Sequence, residues 1–225
     1  MINNSFVVSS KFVLSPNFIY AFFAKFVALM EITLSDISTH RELLDSIKQL
    51  YFEAFPIEER RPWESIMRLI STNNRYNLTL IFADNEFAGF ITSWIFTDFI
   101  YIEHFAIVSD KRGYGIGAQA ISTFTHSQPQ LPIILEAEPI DTSAIARRRI
   151  EFYQRQGFQL CSDFDYTQPP YSPTLPAVKL SLMIYSSSND YPPLQSIATE
   201  IHHSVYGITH ANTLNLLPID CGGDL

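Results

Sequence analysis

The chain has 225 residues, room for one domain with attachments or two small ones. Its 15 basic and 23 acidic side chains leave a formal net charge of −8, which argues against nucleic acid as a partner, because phosphate binding needs a basic surface. Apolar residues make up 47% and include 18 phenylalanines, so a sizeable core is available and wholesale disorder is excluded.

Residues 1–29 form an apolar N-terminal extension with Lys11 and Lys25 and no acid. Its first five residues carry no positive side chain, Lys25 interrupts the apolar stretch and no small-x-small site follows, all unlike a secretory leader. The extension is expected to lie outside the functional domain, which starts near Met30. Met30 to Leu34 reads as a strand. Ser38 to Phe55 has Leu43, Leu44, Ile47, Leu50 and Tyr51 at helical spacing, and Pro56 stops it. Pro62 opens a second helix with Trp63, Ile66, Met67 and Ile70 on one face. Tyr76 to Ala83, the turn Asp84-Asn85 and Phe87 to Phe96 read as a hairpin, and Phe99 to Ile107 as a third long strand.

Ser109 to Tyr114 is a polar loop, and a helix runs from Gly115 through Phe124. Leu131 to Glu136 has the continuous apolar pattern of a strand buried on both faces. A helix over Ser143–Gln156 ends at Gly157, and strands follow over Phe158–Asp163 and Val178–Tyr185, with a Pro-rich loop from Thr167 to Pro176 between them. That loop reads as a connector or as part of a pocket. Residues 187–225 contain a helix over Leu194–Tyr206 and a weakly patterned tail, read as a cap or as a dimerisation element that would give a homodimer. The order is β-α-α-β-β-β-α-β-α-β-β, a mixed α/β sheet layer with helices packed on it. Cys161 and Cys221 are too few for a disulfide framework and are read as unlinked thiols in a reducing, cytoplasmic setting. No run of 18 uninterrupted apolar residues exists, so no ordinary membrane span is expected. His202 and His203 are adjacent rather than at ligand spacing, so no metal site is expected.

The strongest chemical signal is the stretch Phe105-Ala-Ile-Val-Ser-Asp-Lys-Arg112-Gly-Tyr-Gly115-Ile-Gly117. A strand feeds a loop with three glycines, and the loop opens a helix. Backbone N–H groups of such a loop can converge on an anion, and the helix N-terminus adds about half a positive charge. Arg112 supplies a charged donor, so a pyrophosphate site is predicted; a tight glycine turn with no ligand is the plain alternative. Gly115-x-Gly117-x-x-Ala120, with Glu136 about 20 residues on, also fits a dinucleotide-binding pattern and hence an oxidoreductase. Against that, a long basic loop separates the glycines from the strand. The pattern follows an antiparallel hairpin rather than starting a β-α-β unit, and no second half follows. A Walker loop is absent, because no Lys-Ser/Thr pair follows the glycines.

Ile107-x-Ser-x-x-Arg112-Gly-x-Gly115-Ile-Gly117 resembles the acetyl-CoA-binding motif of the GNAT superfamily of N-acetyltransferases. Glu151-Phe-Tyr153-Gln-Arg-Gln-Gly157-Phe158 resembles that family's tyrosine-bearing helix before a Gly-Phe. The resemblance covers roughly residues 30–186, the expected N-acetyltransferase domain. It implies a mixed, mostly antiparallel twisted sheet with a central splayed parallel pair and helices on both faces. It also implies transfer of an acetyl group from acetyl-CoA, as cosubstrate, to a primary amine of a small molecule or peptide, by direct attack in a ternary complex. A CoA-binding regulatory module without turnover is the alternative. Many members carry a small residue and an Asn one and two turns before the tyrosine, where Arg149 and Ala146 stand in this chain.

The resemblance assigns cofactor contacts to Phe105, Ala106, Ile107, Arg112, Gly113, Tyr114, Gly115, Ile116 and Gly117, with free amides near Phe105–Ile107 polarising the thioester carbonyl. Tyr153 would protonate the leaving thiolate. Glu103 is the candidate base. Strand alternation puts Tyr101, Glu103 and Phe105 on one face and His104 on the other, and an acid among aromatics is expected to have a raised pKa. Glu136 and Glu138 are candidates to bind a cationic amine. For each glutamate a salt bridge, for instance to Arg147-Arg148-Arg149, is the plain alternative.

Overall fold

The computed structural model describes residues 30–208. The expected N-terminal extension, the end of the tail and Cys221 lie outside the described residues. In chain order the elements are β1 (Ile32–Asp36), α1 (Leu44–Ala54), α2 (Trp63–Thr72), β2 (Tyr76–Ala83), β3 (Glu86–Ile95), β4 (Ile100–Ile107), α3 (Ile116–Ser127), β5 (Ile133–Ala137), α4 (Ala144–Arg155), β6 (Gln159–Leu160), β7 (Tyr166–Gln168), β8 (Val178–Tyr185) and α5 (Leu194–Ser204).

The hairpin of β2 and β3 turns on Asp84 and Asn85, both at positive φ (+50° and +66°), the conformation a two-residue hairpin requires and Asp and Asn tolerate. The first helix is shorter than its apolar spacing suggests. Asp36 accepts a hydrogen bond from the Ser38 amide and caps a 3₁₀ turn over Ile37–Thr39. His40, at φ −143° and ψ 47°, interrupts the helix before a second such turn at Arg41–Leu43. The expected strand over Phe158–Asp163 shrinks to the two residues of β6. In its place β7 forms just ahead of the prolines and pairs with the start of β8.

The sheet runs β1-β2-β3-β4-β5-β8-β6, with β7 also on β8. Every neighbouring pair is antiparallel except β4 and β5. α1, α2 and α5 pack on one face through Ile47, Tyr51, Trp63, Ile66, Ile197 and Ile201. The other face carries α3 and α4 through Ile121, Phe124 and Ile150. Residues from α5 share the core with α1 and α2, so that helix is built into the sheet layer rather than attached to it. Among the described residues no helix is long and apolar enough to cross a membrane.

Two departures from regular pairing shape the centre. The parallel pairing of β4 and β5 ends after Ile100–Ile133, Tyr101–Ile134 and Ile102–Leu135, and beyond it the strands separate. Next to that point β4 has a bulge. Ser93 pairs with Ile102 and Thr92 with His104, so Glu103 is the extra residue. A bulge breaks the two-residue alternation. Tyr101 lies in the core on the α1 face and Phe105 against the core on the α3 face. His104, expected to face away from Glu103, lies on its side, with Nδ1 4.0 Å from Oε2. The glycine loop does open a β-α-β crossover, β4-α3-β5, contrary to expectation. It is a single crossover between antiparallel neighbours, not half of a dinucleotide-binding sheet.

Candidate active site

The separation of β4 from β5 opens a cavity of about 660 Å³ that reaches from the glycine loop to the strand ends. At the loop, Gly113 and Gly115 sit at φ +85° and +82°, a region a side chain would strain, and Gly115 is the N-cap of α3. No side chain caps that helix and its first turn holds no acid, so its leading amides are presented unmasked beside the cavity. Arg112 Nε donates to the Ile107 carbonyl at 2.8 Å, which ties the loop to the strand end. Lys111 pairs with Glu86 on β3.

Main-chain direction follows from one bond. The Val108 amide donates to the Ala88 carbonyl on β3 at 2.9 Å. Antiparallel alternation then turns the amides of Ala106 and His104 toward β3, and those of Phe105 and Ile107 toward the gap where β5 has left. Phe105, Ala106, Ile107, Arg112, Gly113, Gly115 and Gly117 all line the cavity. Two other sequence candidates do not. Ile116 is buried in the core under α3, and Tyr114 is exposed and borders a separate hollow beside Met30 and Glu86.

Tyr153 is presented by α4, which Ser143 caps by accepting from the Ala146 amide. Its ring is 8% exposed and wedged between Phe152 and Phe158. The hydroxyl makes no hydrogen bond among the described residues, and the residue lines the cavity. Burial pushes its pKa up to about 12, against the opposing charge of Arg149, so the phenol keeps its proton at neutral pH. Ala146, at the position where many relatives have Asn, is fully buried and offers no polar contact. Arg149 reaches across to Glu138 at 3.2 Å.

Glu103 differs most from expectation. Its side chain is 0% exposed, while the residue as a whole is partly exposed, so its main chain is what meets solvent. Arg61 donates to Oε1 from Nε and Nη2 at 3.1 and 2.8 Å, Tyr171 donates to the same oxygen at 2.8 Å, and Trp94 Nε1 donates to Oε2 at 2.9 Å. Burial alone would raise its pKa. The Arg61 charge and these donors outweigh burial and hold the carboxyl below its ordinary range, the reverse of the sequence expectation. His104 is a satisfied core histidine. Nε2 donates to the Glu59 carbonyl and Nδ1 faces the Thr92 hydroxyl, with burial keeping the ring neutral.

Glu136, near the end of β5, has the opposite surroundings. Among the described residues no cation is bonded to it; the hydroxyls of Tyr166 and Tyr206 donate to its two oxygens, the latter at 3.0 Å. Burial raises its pKa to about 7 despite those donors. Tyr171 stands 3.4 Å from the Tyr206 hydroxyl, and Tyr101 3.3 Å from it, so a run of phenols joins Glu136 to Glu103. Sequence reading misses Arg61, Tyr166 and Tyr206. Tyr171 stands in the Pro-rich loop Thr167–Pro176, which the sequence offers as connector or pocket, and it lines the cavity. Nothing in local spacing singles out the other three.

Residues 41–158 match the profile of the acetyltransferase (GNAT) family. A Bacteroides thetaiotaomicron protein described as an acetyltransferase of that family superposes with a TM-score of 0.70 and 31% identity, over 80% of this chain and 99% of the other. YjbC of Bacillus subtilis, described as an acetyltransferase, is 28% identical over 116 residues, 51% of this chain and 57% of that protein. Arabidopsis thaliana Naa50, solved with the bisubstrate analogue CoA-Ac-MVNAL, shares the fold at 18% identity and a TM-score of 0.50, over 69% of this chain and 98% of the other. The profile spans more than half of the chain and the Bacteroides protein matches most of it; the chain belongs to the GNAT family of acetyltransferases.

Proposed function

We propose that the protein transfers an acetyl group from acetyl-CoA to a primary amine carried by a small molecule or peptide, with both reactants bound together, in the cytoplasm. The observation that carries this reading is the shared cavity: the glycine loop, the splayed strand end, Tyr153 and Glu136 all border it. The loop fits the cofactor. Positive-φ glycines allow close backbone approach, the α3 N-terminus has no side-chain cap, and Arg112 stands beside it. Gly113, Gly115 and the first amides of α3 would hold the diphosphate. The amides of Phe105 and Ile107 would hold the reacting carbonyl. Bound there, the thioester supplies an activated acetyl group.

The chain's own residues then have separate tasks. Glu136, whose pKa burial lifts to about 7, takes a proton from the incoming ammonium, whose positive charge the carboxylate also attracts. The free amine attacks, an N–C bond forms, the attacking nitrogen gives up its surplus proton to water and the C–S bond breaks. Developing negative charge on oxygen is met by preorganised amides at the gap. Tyr153 donates its proton to the departing sulfur and regains one from water. Glu103 is a structural carboxylate in this scheme, ionised and held by Arg61. Thiol release with a panel of mono- and polyamines and lysine-bearing peptides tests the proposal. Turnover with at least one cationic amine, abolished in Glu136→Gln, is expected. Acetyl-CoA binding without turnover across the panel overturns it and returns the chain to a non-catalytic CoA-binding module.

A further inference from the structure

The site is completed by a segment beyond the family match. That match ends at residue 158, whereas Tyr206 follows α5 and places its hydroxyl on Glu136 Oε2 at 3.0 Å. We propose that Tyr206 is a positioning residue, presented by the end of α5 to orient the Glu136 carboxyl and to hold it in its ionised, proton-accepting form. The role rests on the reading of Glu136 as the proton acceptor.

Three features fix the presentation. α5 is anchored by Ile197, Ala198 and Ile201, all buried in the core of its face. Arg61 Nη2 donates both to Glu103 Oε1 and to the Val205 carbonyl, each at 2.8 Å, so the guanidinium that neutralises one carboxylate also clamps the residue preceding Tyr206. Gly207, at φ +70°, then turns the chain so that the Ile208 amide returns to the His202 carbonyl at 2.9 Å. Between clamp and turn, the Tyr206 ring packs on Tyr171 with centroids 4.9 Å apart.

The groups facing Glu136 come from four places. Tyr101 and Glu103 stand on β4, Tyr166 on β7, Tyr171 in the loop after it and Tyr206 after α5. Arg61 acts on this set through Glu103, and Glu59 and Glu138 border the same cavity. Among the described residues no cation bonds to the carboxylate, and hydroxyl donors are its main counterweight to burial. Losing one weakens the ionised form more than the neutral form.

The test is a ¹³C-glutamate NMR titration of the side-chain carboxyls of the full chain, with the Glu136 signal assigned by its disappearance in Glu136→Gln. In Tyr206→Phe the Glu136 midpoint is expected to rise by about one pH unit, the loss of one hydrogen bond to a charged group. Arg61→Lys keeps a charge beside Glu103 and loosens the hold on Val205; the same midpoint should rise by less. The acid limb of the kcat/KM profile should move with it. An unmoved Glu136 midpoint in folded Tyr206→Phe, or in Arg61→Lys should the phenylalanine variant not fold, overturns the proposal. A moved midpoint in a protein that turns over no amine upholds Tyr206 as the residue that sets Glu136 and overturns the catalytic reading instead.

Discussion

Glu103 and Glu136 stand on neighbouring strands and border the same cavity, yet their surroundings shift their pKa values in opposite directions. Among the described residues Glu103 has a guanidinium, an indole N–H and a phenol, and Glu136 has phenols alone. Removing the cation strands a buried negative charge. Arg61→Met should therefore cost about 3 kcal/mol of unfolding free energy at neutral pH. That deficit should shrink in acid, because a carboxyl with a lowered folded pKa contributes stability above its unfolded value and loses it as pH falls through the folded one. Urea melts of both proteins from pH 7 down to acid would show it. Glu136 has the opposite sign. Its pKa rises on folding from 4.5 to about 7, so stability linked to its proton is present below 4.5 and lost as pH climbs toward 7. Glu136→Gln should flatten that decline in a pH series of thermal melts. Tyr153→Phe should lower kcat by roughly 100-fold and leave acetyl-CoA affinity within a factor of two, as expected for a group that acts only in the transition state.

At the scale of elements, the cavity exists because β4 stops pairing with β5 after Ile102 and bulges at Glu103. β3 holds the other edge of β4 in place through Gly89. A Cβ on Gly89 would lie 2.2 Å from the Ala106 carbonyl oxygen, an overlap backbone cannot absorb without moving. Gly89→Ala should cost about 2 kcal/mol of stability, measured by urea melts, and weaken acetyl-CoA binding, since the shifted residues carry the gap-facing amides. The elements themselves were largely legible, because strand alternation, the Asp84-Asn85 turn and the glycines after β4 are local signals. Glu103 was not. Its side-chain direction depends on a one-residue bulge that alternation cannot register, and its partner Arg61 is 42 residues away in the chain. Local pattern names which residues line a strand; it does not say which face survives an irregular pairing.

For the whole molecule, the two faces of the sheet divide the work. α3 and α4 supply the glycine-loop amides and Tyr153, while the elements on the α1 face supply Arg61 and, through the end of α5, Tyr206. The sequence motifs point only to the α3–α4 half, because those residues cluster within short loops and one helix turn of each other. Arg61, Tyr171 and Tyr206 come together only through folding and leave no spacing to read. The proposed cofactor binding depends on main-chain amides at residues 113–117 receiving an anion at the mouth of the cavity. A crystal structure of the protein with coenzyme A tests this most directly. The diphosphate should lie within hydrogen-bond distance of those amides, with the pantetheine arm running into the gap between β4 and β5 toward Tyr153. A ligand bound elsewhere, or those amides turned onto the chain's own carbonyls, would contradict it.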